Sequence, residues 1–163
     1  MYEKIMVPLD GSALAECVFP HVKAFMKGFR VGSIHLVRVL EPPSTRYDDS
    51  ALVSGSNREK LSEFTRRVEE LRKKAAAEYL EQAASRLMQS GVEIKTEVIF
   101  GSVADRLADY TENNGIDLII IATHGRSGIS RWVRGSVADR VLRFSHVPVL
   151  MVQAGSRAKG LKA

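Results

Sequence analysis

A chain of 163 residues suits one domain that buries most of the surface its unfolded form exposes, and 45% hydrophobic against 26% charged residues excludes wholesale disorder. The single cysteine, Cys17, excludes an internal disulfide and a cysteine-built zinc site, and His21, His35, His124 and His146 show no metal-ligand spacing. The net charge of +5 argues little for nucleic acid, because Arg157, Lys159 and Lys162 carry three of those charges in a basic, flexible tail over 154–163, beyond a nearly balanced domain over 1–153.

The first residues, MYEKIMVPLD, lack the basic region and long apolar run of a secretory signal. The longest strongly apolar stretch, Leu118 to Ala122, is far short of a membrane span. A cytoplasmic protein without membrane contact is expected.

In chain order, Ile5 to Leu9 reads as a first buried strand, closed by Asp10-Gly11-Ser12. Ser12 reads as the N-cap of a helix with Leu14, Val18, Val22 and Phe25 near helical spacing. Ser33 to Leu40 (SIHLVRVL) reads as a second strand. Glu41 to Asn57 holds two prolines, glycine/serine clusters and an Asp pair, and reads as a long connection, either a lid or inert. Arg58 to Ser90 predicts a long amphipathic helix ended by Gly91 at C′, its many Glu, Arg and Lys forming a solvated face with i,i+4 pairs. Val92 to Phe100 alternates as a third strand, and Ser102 to Asn113 reads as a helix. Asp117 to Thr123 is a near-continuous apolar run, as a central strand covered on both faces requires. Gly135 to Phe144 reads as a fourth helix and Val147 to Val152 as a fifth strand, which Pro148 assigns to an edge or end of the sheet.

Alternating units of this kind predict an α/β fold: an open, doubly wound, five-stranded parallel sheet flanked by helices, flavodoxin/Rossmann-like. Its ligand crevice belongs at the carboxyl ends of the strands, where the winding reverses. The hexapeptide GSVADR occurs twice, at Gly101–Arg106 and Gly135–Arg140. Ser102 and Ser136 read as N-caps, with Asp105 and Asp139 in capping-box position. The repeat means either two similar helix starts or a helix N-terminus facing an anion.

Two segments carry the chemistry. Ala122 to Ser136 (ATHGRSGISRWVRGS) joins a buried strand to a helix start, with Gly125, Gly128 and Gly135 among Ser127, Ser130, Ser136, Arg126, Arg131 and Arg134. Glycines let backbone N–H groups approach phosphate, and the helix dipole adds positive potential. A plain glycine-rich turn is the alternative. Asp10 follows the first strand, where a carboxylate accepts hydrogen bonds from ribose hydroxyls or simply closes an Asx turn. No GxxxxGK[ST] and no GxGxxG is present, so a P-loop NTPase and a nicotinamide or FAD site are disfavoured. A phospho-receiver would need an Asp where Phe100-Gly101-Ser102 ends the third strand and a Lys after the fifth.

On these residues the chain resembles the universal stress protein family, from Tyr2 to Val152. The first strand ends Val7-Pro8-Leu9-Asp10-Gly11-Ser12, the second runs into Val39, and the signature G-x2-G-x9-G-[ST] falls on Ala122, Gly125, Gly135 and Ser136. The resemblance implies an adenine-nucleotide α-hydrolase-like fold and an ATP site, with magnesium, formed by Pro8, Asp10, Val39, Ala122, His124, Gly125, Arg126, Ser127, Gly128, Gly135, Ser136 and Val137. Asp10 would hold the ribose, the Val39 backbone the adenine edge, and Gly125, Gly135 and Ser136 the phosphates. It also implies a homodimer through Val147–Val152 and a nucleotide-dependent stress-response switch. The first signature glycine is Ala122, harmless at negative φ and costly at positive φ or against a phosphate oxygen. A nucleotide-free dimeric interaction protein with a degenerate site is therefore the alternative. His124 is either a phosphate donor or a packing residue, and Trp132 either covers the nucleotide, packs, or meets a partner. No lysine stands in the phosphate loop and no general base is evident, so no catalytic residue is assigned and at most slow ATP hydrolysis is expected.

Overall fold

The computed structural model describes residues 2–42, 55–88, 91–124 and 136–154, with backbone alone at 55–60, 124 and 136. Gly125, Arg126, Ser127, Gly128, Trp132 and Gly135, most of the second connection and the basic tail lie outside the described residues. Strands β1 (Lys4–Pro8), β2 (Ser33–Leu40), β3 (Glu93–Phe100), β4 (Leu118–His124) and β5 (Val149–Ala154) alternate with helices α1 (Phe19–Gly28), α2 (Gly55–Leu87), α3 (Val103–Asn114) and α4 (Ser136–Phe144).

The first helix starts later than its apolar spacing predicts. Pro20 has no N–H to give and is tolerated only in the first turn, so α1 starts around it. The preceding residues Ala15–Val18 form a 3-10 turn instead. Ser12 is therefore not the N-cap of α1, which is Val18; its Oγ instead accepts the Ala15 N–H at 3.1 Å at the start of that turn. The second connection is shorter than composition suggested, because α2 already begins at Gly55. That helix ends at Leu87, and Gly91 turns the chain into β3 at φ +88° rather than serving as C′. Gly115 closes α3 in the left-handed conformation, φ 61°.

All strand pairs are parallel, in the order β3-β2-β1-β4-β5. This is the Rossmann order. β5 holds an edge position, where Pro148 pointed. Alternate residues of each strand feed two cores. Ile5, Val7, Ile34, Leu36 and Ile120 pack with Val18 and Val22 and with Leu80, Ala83 and Leu87 of α2. Met6, Val37, Ile119 and Ile121 pack with Leu107 of α3 and Ala138 and Val141 of α4. Helices α1 and α2 therefore cover one face, and α3 and α4 the other. The winding reverses between β1 and β4, which pair through Ile5–Leu118 and Met6–Ile119. Among the described residues no helix is long and apolar enough to cross a membrane.

Candidate nucleotide site at the carboxyl edge of the sheet

Because every pair is parallel, β1, β2 and β4 all end at the same edge. That brings together Pro8 at the end of β1 and Asp10 just beyond it, Val39 near the end of β2, Ala122 and His124 in β4, and Ser136 and Val137 at the start of α4. A parallel ladder makes each residue aim both its N–H and its C=O to one side, alternately. The Val37 C=O accepts the Leu9 N–H at 2.9 Å on the β1 side, and the Leu40 C=O accepts the Gly101 N–H at 3.0 Å on the β3 side. Val39 is two residues on from Val37, so its N–H and C=O aim toward β1. There the first strand has already turned away at Asp10, which leaves a backbone donor and acceptor facing the crevice.

Asp10 closes an Asx turn, its Oδ1 accepting the Ser12 N–H at 2.8 Å. Its second oxygen has no hydrogen bond among the described residues. Gly11 sits at φ +89°, a left-handed backbone that disfavours any side chain. Ala122 lies inside β4, paired with Val152, and its methyl packs against the α1/α2 core. No described non-glycine residue has positive φ, so alanine at this position carries no backbone strain. Val137 is half-buried against the α3/α4 core, which leaves its backbone for any ligand contact.

Sequence reading missed a charged layer beside this edge. The Arg38 guanidinium lies over the Tyr79 ring at 5.3 Å. Arg86 grips both oxygens of Glu16, at 2.8 and 2.6 Å, and these hydrogen bonds, with its charge behind them, hold the Glu16 carboxyl below the usual carboxylate range. The Tyr79 hydroxyl is buried beside that carboxylate without a hydrogen bond of good geometry. Burial first, and the neighbouring Glu16 charge second, push Tyr79 up to about 12. The one signal in the sequence was an arginine inside the mostly apolar SIHLVRVL.

Among the described residues no group of three His, Cys, Asp or Glu side chains could hold a metal. An apolar hollow of about 170 Å³ between α3 and α4, lined by Leu107, Ile116, Val141, Phe144 and Val147, lies toward the amino ends of β4 and β5, away from this edge.

Residues 1–153 match the model of the universal stress protein family. The chain belongs to that family. It is similar to universal stress protein MJ0577 of Methanocaldococcus jannaschii, 30% identical over 157 residues, 94% of this chain and 96% of that one. The solved structure of MJ0577 covers 96% of this chain and 99% of its own, with a TM-score of 0.75 and 27% identity. Two family structures share the fold at lower identity. A universal stress protein in complex with cAMP has a TM-score of 0.64 at 18% identity, covering 94% of this chain and 98% of that one. The Archaeoglobus fulgidus protein in complex with dAMP has a TM-score of 0.56 at 20% identity, covering 92% and 97%.

Proposed function

We propose that this universal stress protein binds ATP, with magnesium, at the carboxyl edge of its sheet and acts in the cytoplasm as a nucleotide-dependent regulatory switch, as a homodimer paired through β5. The observation that carries the reading is the outward-facing backbone of Val39 beside the Asp10-Gly11-Ser12 turn, at the point where the winding reverses. A neighbouring N–H and C=O match the edge of an adenine, and the second oxygen of Asp10 suits a ribose hydroxyl. Ser136 opens the nine-residue α4, whose N-terminal N–H groups favour phosphate. The negative φ of Ala122 removes the strain objection to the altered signature. Relatives in complex with cAMP and dAMP make an adenine nucleotide the natural ligand class. The remaining contacts, Gly125, Arg126, Ser127, Gly128 and Gly135, are proposed from the signature, with His124 beside them.

The dimer rests on β5. The Pro148 C=O accepts the Ile119 N–H on the β4 side, so Val149, Met151 and Gln153 present their backbone groups at the outer edge. An apolar edge of that kind is an aggregation hazard unless it is paired.

Thermal unfolding with and without magnesium-ATP tests the site. Ligand at ~100 times its dissociation constant stabilises the fold by about 2.7 kcal/mol, a rise on the order of 5 °C. The shift should vanish in Asp10→Ala and Gly135→Val. A well-folded protein that shows no shift at millimolar ATP would leave the nucleotide-free dimer as the better account.

A further inference from the structure

The guanidinium of Arg38 meets two neighbours. Its Cζ lies over the Tyr79 ring, 5.3 Å from the ring centroid. Gly11 packs against it as well: a Cβ there would sit 2.9 Å from Cζ, Nη1 and Nη2 alike. Neither contact uses the hydrogen-bonding edge of the cation. That edge has no acceptor among the described residues, neither a carboxylate within ion-pair distance nor a carbonyl. Arg67, Arg86, Arg106, Arg140 and Arg143 each pair with an acid, while Arg30, Arg66 and Arg72, like Arg38, have no acid partner among the described residues. Arg38 is half-buried, so water satisfies its five donors less fully than at an exposed arginine.

A planar cation seated over an aromatic ring and against a glycine, with an unpaired donor edge, matches the geometry that recognises phosphate oxygens two at a time. It stands against the same Gly11 turn that carries Asp10. We infer that Arg38 is an anion-binding residue of the crevice and donates its edge N–H groups to the phosphate chain of the bound nucleotide. This rests on the nucleotide reading above and adds to it a ligand that the family signature does not contain. It also gives Gly11 a second requirement beyond its positive φ, since any side chain there would push the guanidinium off the tyrosine.

Titration calorimetry on the full chain with ATP, and with adenosine as the phosphate-free reference, tests the assignment. Arg38→Met keeps an apolar stem on Tyr79 and removes the charge. Its affinity for ATP should fall about tenfold to a hundredfold, the loss expected when a charge-assisted hydrogen bond goes, while adenosine binding is unchanged. Arg38→Lys should recover part of the loss, as a point charge without the fork. Equal losses for ATP and adenosine would mean that Arg38 only props the Gly11 turn, and would overturn the inference. So would an unchanged ATP affinity in Arg38→Met. Failure of the unaltered protein to bind either compound would instead sink the nucleotide site itself. A ligand-free melting curve for each variant separates a binding defect from a folding defect.

Discussion

Asp105, in the first GSVADR segment, accepts a hydrogen bond at 3.2 Å from Nη2 of Arg140, in the second. The two identical hexapeptides thus meet across the α3–α4 contact, each contributing a different residue. Ser102 makes no side-chain cap bond, and Asp105 turns to the neighbouring helix instead of closing a capping box. Arg106 folds back over Gly101 to donate to the Phe100 C=O at 3.1 Å, whereas its counterpart Arg140 reaches away. Both side chains of the Asp105–Arg140 pair are more than half exposed. Asp105→Ala should therefore cost less than about 1 kcal/mol, and a double-mutant cycle with Arg140→Ala should return a coupling of a few tenths. Ser102→Ala should cost well under the ~1 kcal/mol of a working cap, as read by urea unfolding.

Gly11 is the position where a single methyl does most harm at the crevice. Its φ of +89° costs an L-residue roughly 1–2 kcal/mol, and the Cβ would collide with Arg38. Gly11→Ala should lower the melting temperature by several degrees and weaken nucleotide binding with it. Gly28, where an added Cβ would meet nothing within 4 Å and φ is not positive, is the control: Gly28→Ala should be neutral or mildly stabilising.

His35 makes the stability of the fold depend on pH. It is buried at 3% exposure, with Nε2 3.0 Å from Ser33 Oγ and Nδ1 2.9 Å from Tyr110 Oη. Burial first, then the charges of Lys95 and Lys4, hold its pKa below the ordinary 6.5. The unfolded chain then binds a proton that the folded chain refuses. Stability from this group is complete above pH ~6.5 and falls as the pH drops below it, until the folded histidine also protonates. Denaturant unfolding between pH 7.5 and 5 should show that decline, and His35→Gln should flatten it.

Tyr79→Phe removes a buried hydroxyl that has no good hydrogen bond. Deleting such a group is expected to be neutral or to stabilise by up to about 1 kcal/mol. Because the ring remains, the stacking of Arg38 survives, and nucleotide affinity should not change. Equilibrium unfolding and the ATP titration check the two halves of this prediction.

Met151→Pro tests the proposed dimer edge without breaking the sheet. The Met151 N–H faces outward from β5, so proline there removes no ladder bond to β4. Light scattering after gel filtration should show the unaltered protein as a dimer and the variant as a folded monomer. A variant that stays dimeric would place the interface elsewhere.

Much of the fold was legible from local pattern. The SIHLVRVL strand was readable to its ends, β4 was recognisable as a covered central strand from its unbroken apolar run, and Pro148 pointed to the edge. Helix ends were less legible. Glycine, serine and asparagine at 55–57 look like loop, yet α2 includes them, since propensity yields to packing over a helix of 33 residues. The capping box at Ser102 failed for a related reason: an aspartate that can cap can equally pair with an arginine 35 positions away, and only proximity decides which.

By itself, the sequence determined the alternation of strands and helices, the family and the residues of the signature, because apolar periodicity and glycine placement are properties of neighbours along the chain. Only the tertiary structure decided that Val39 faces the crevice, that Ala122 is unstrained, and that Arg38 lies against both Tyr79 and Gly11. The last of these relations joins residues 27 to 68 positions apart, and no local rule of spacing encodes which of many possible partners the folded sheet brings into contact.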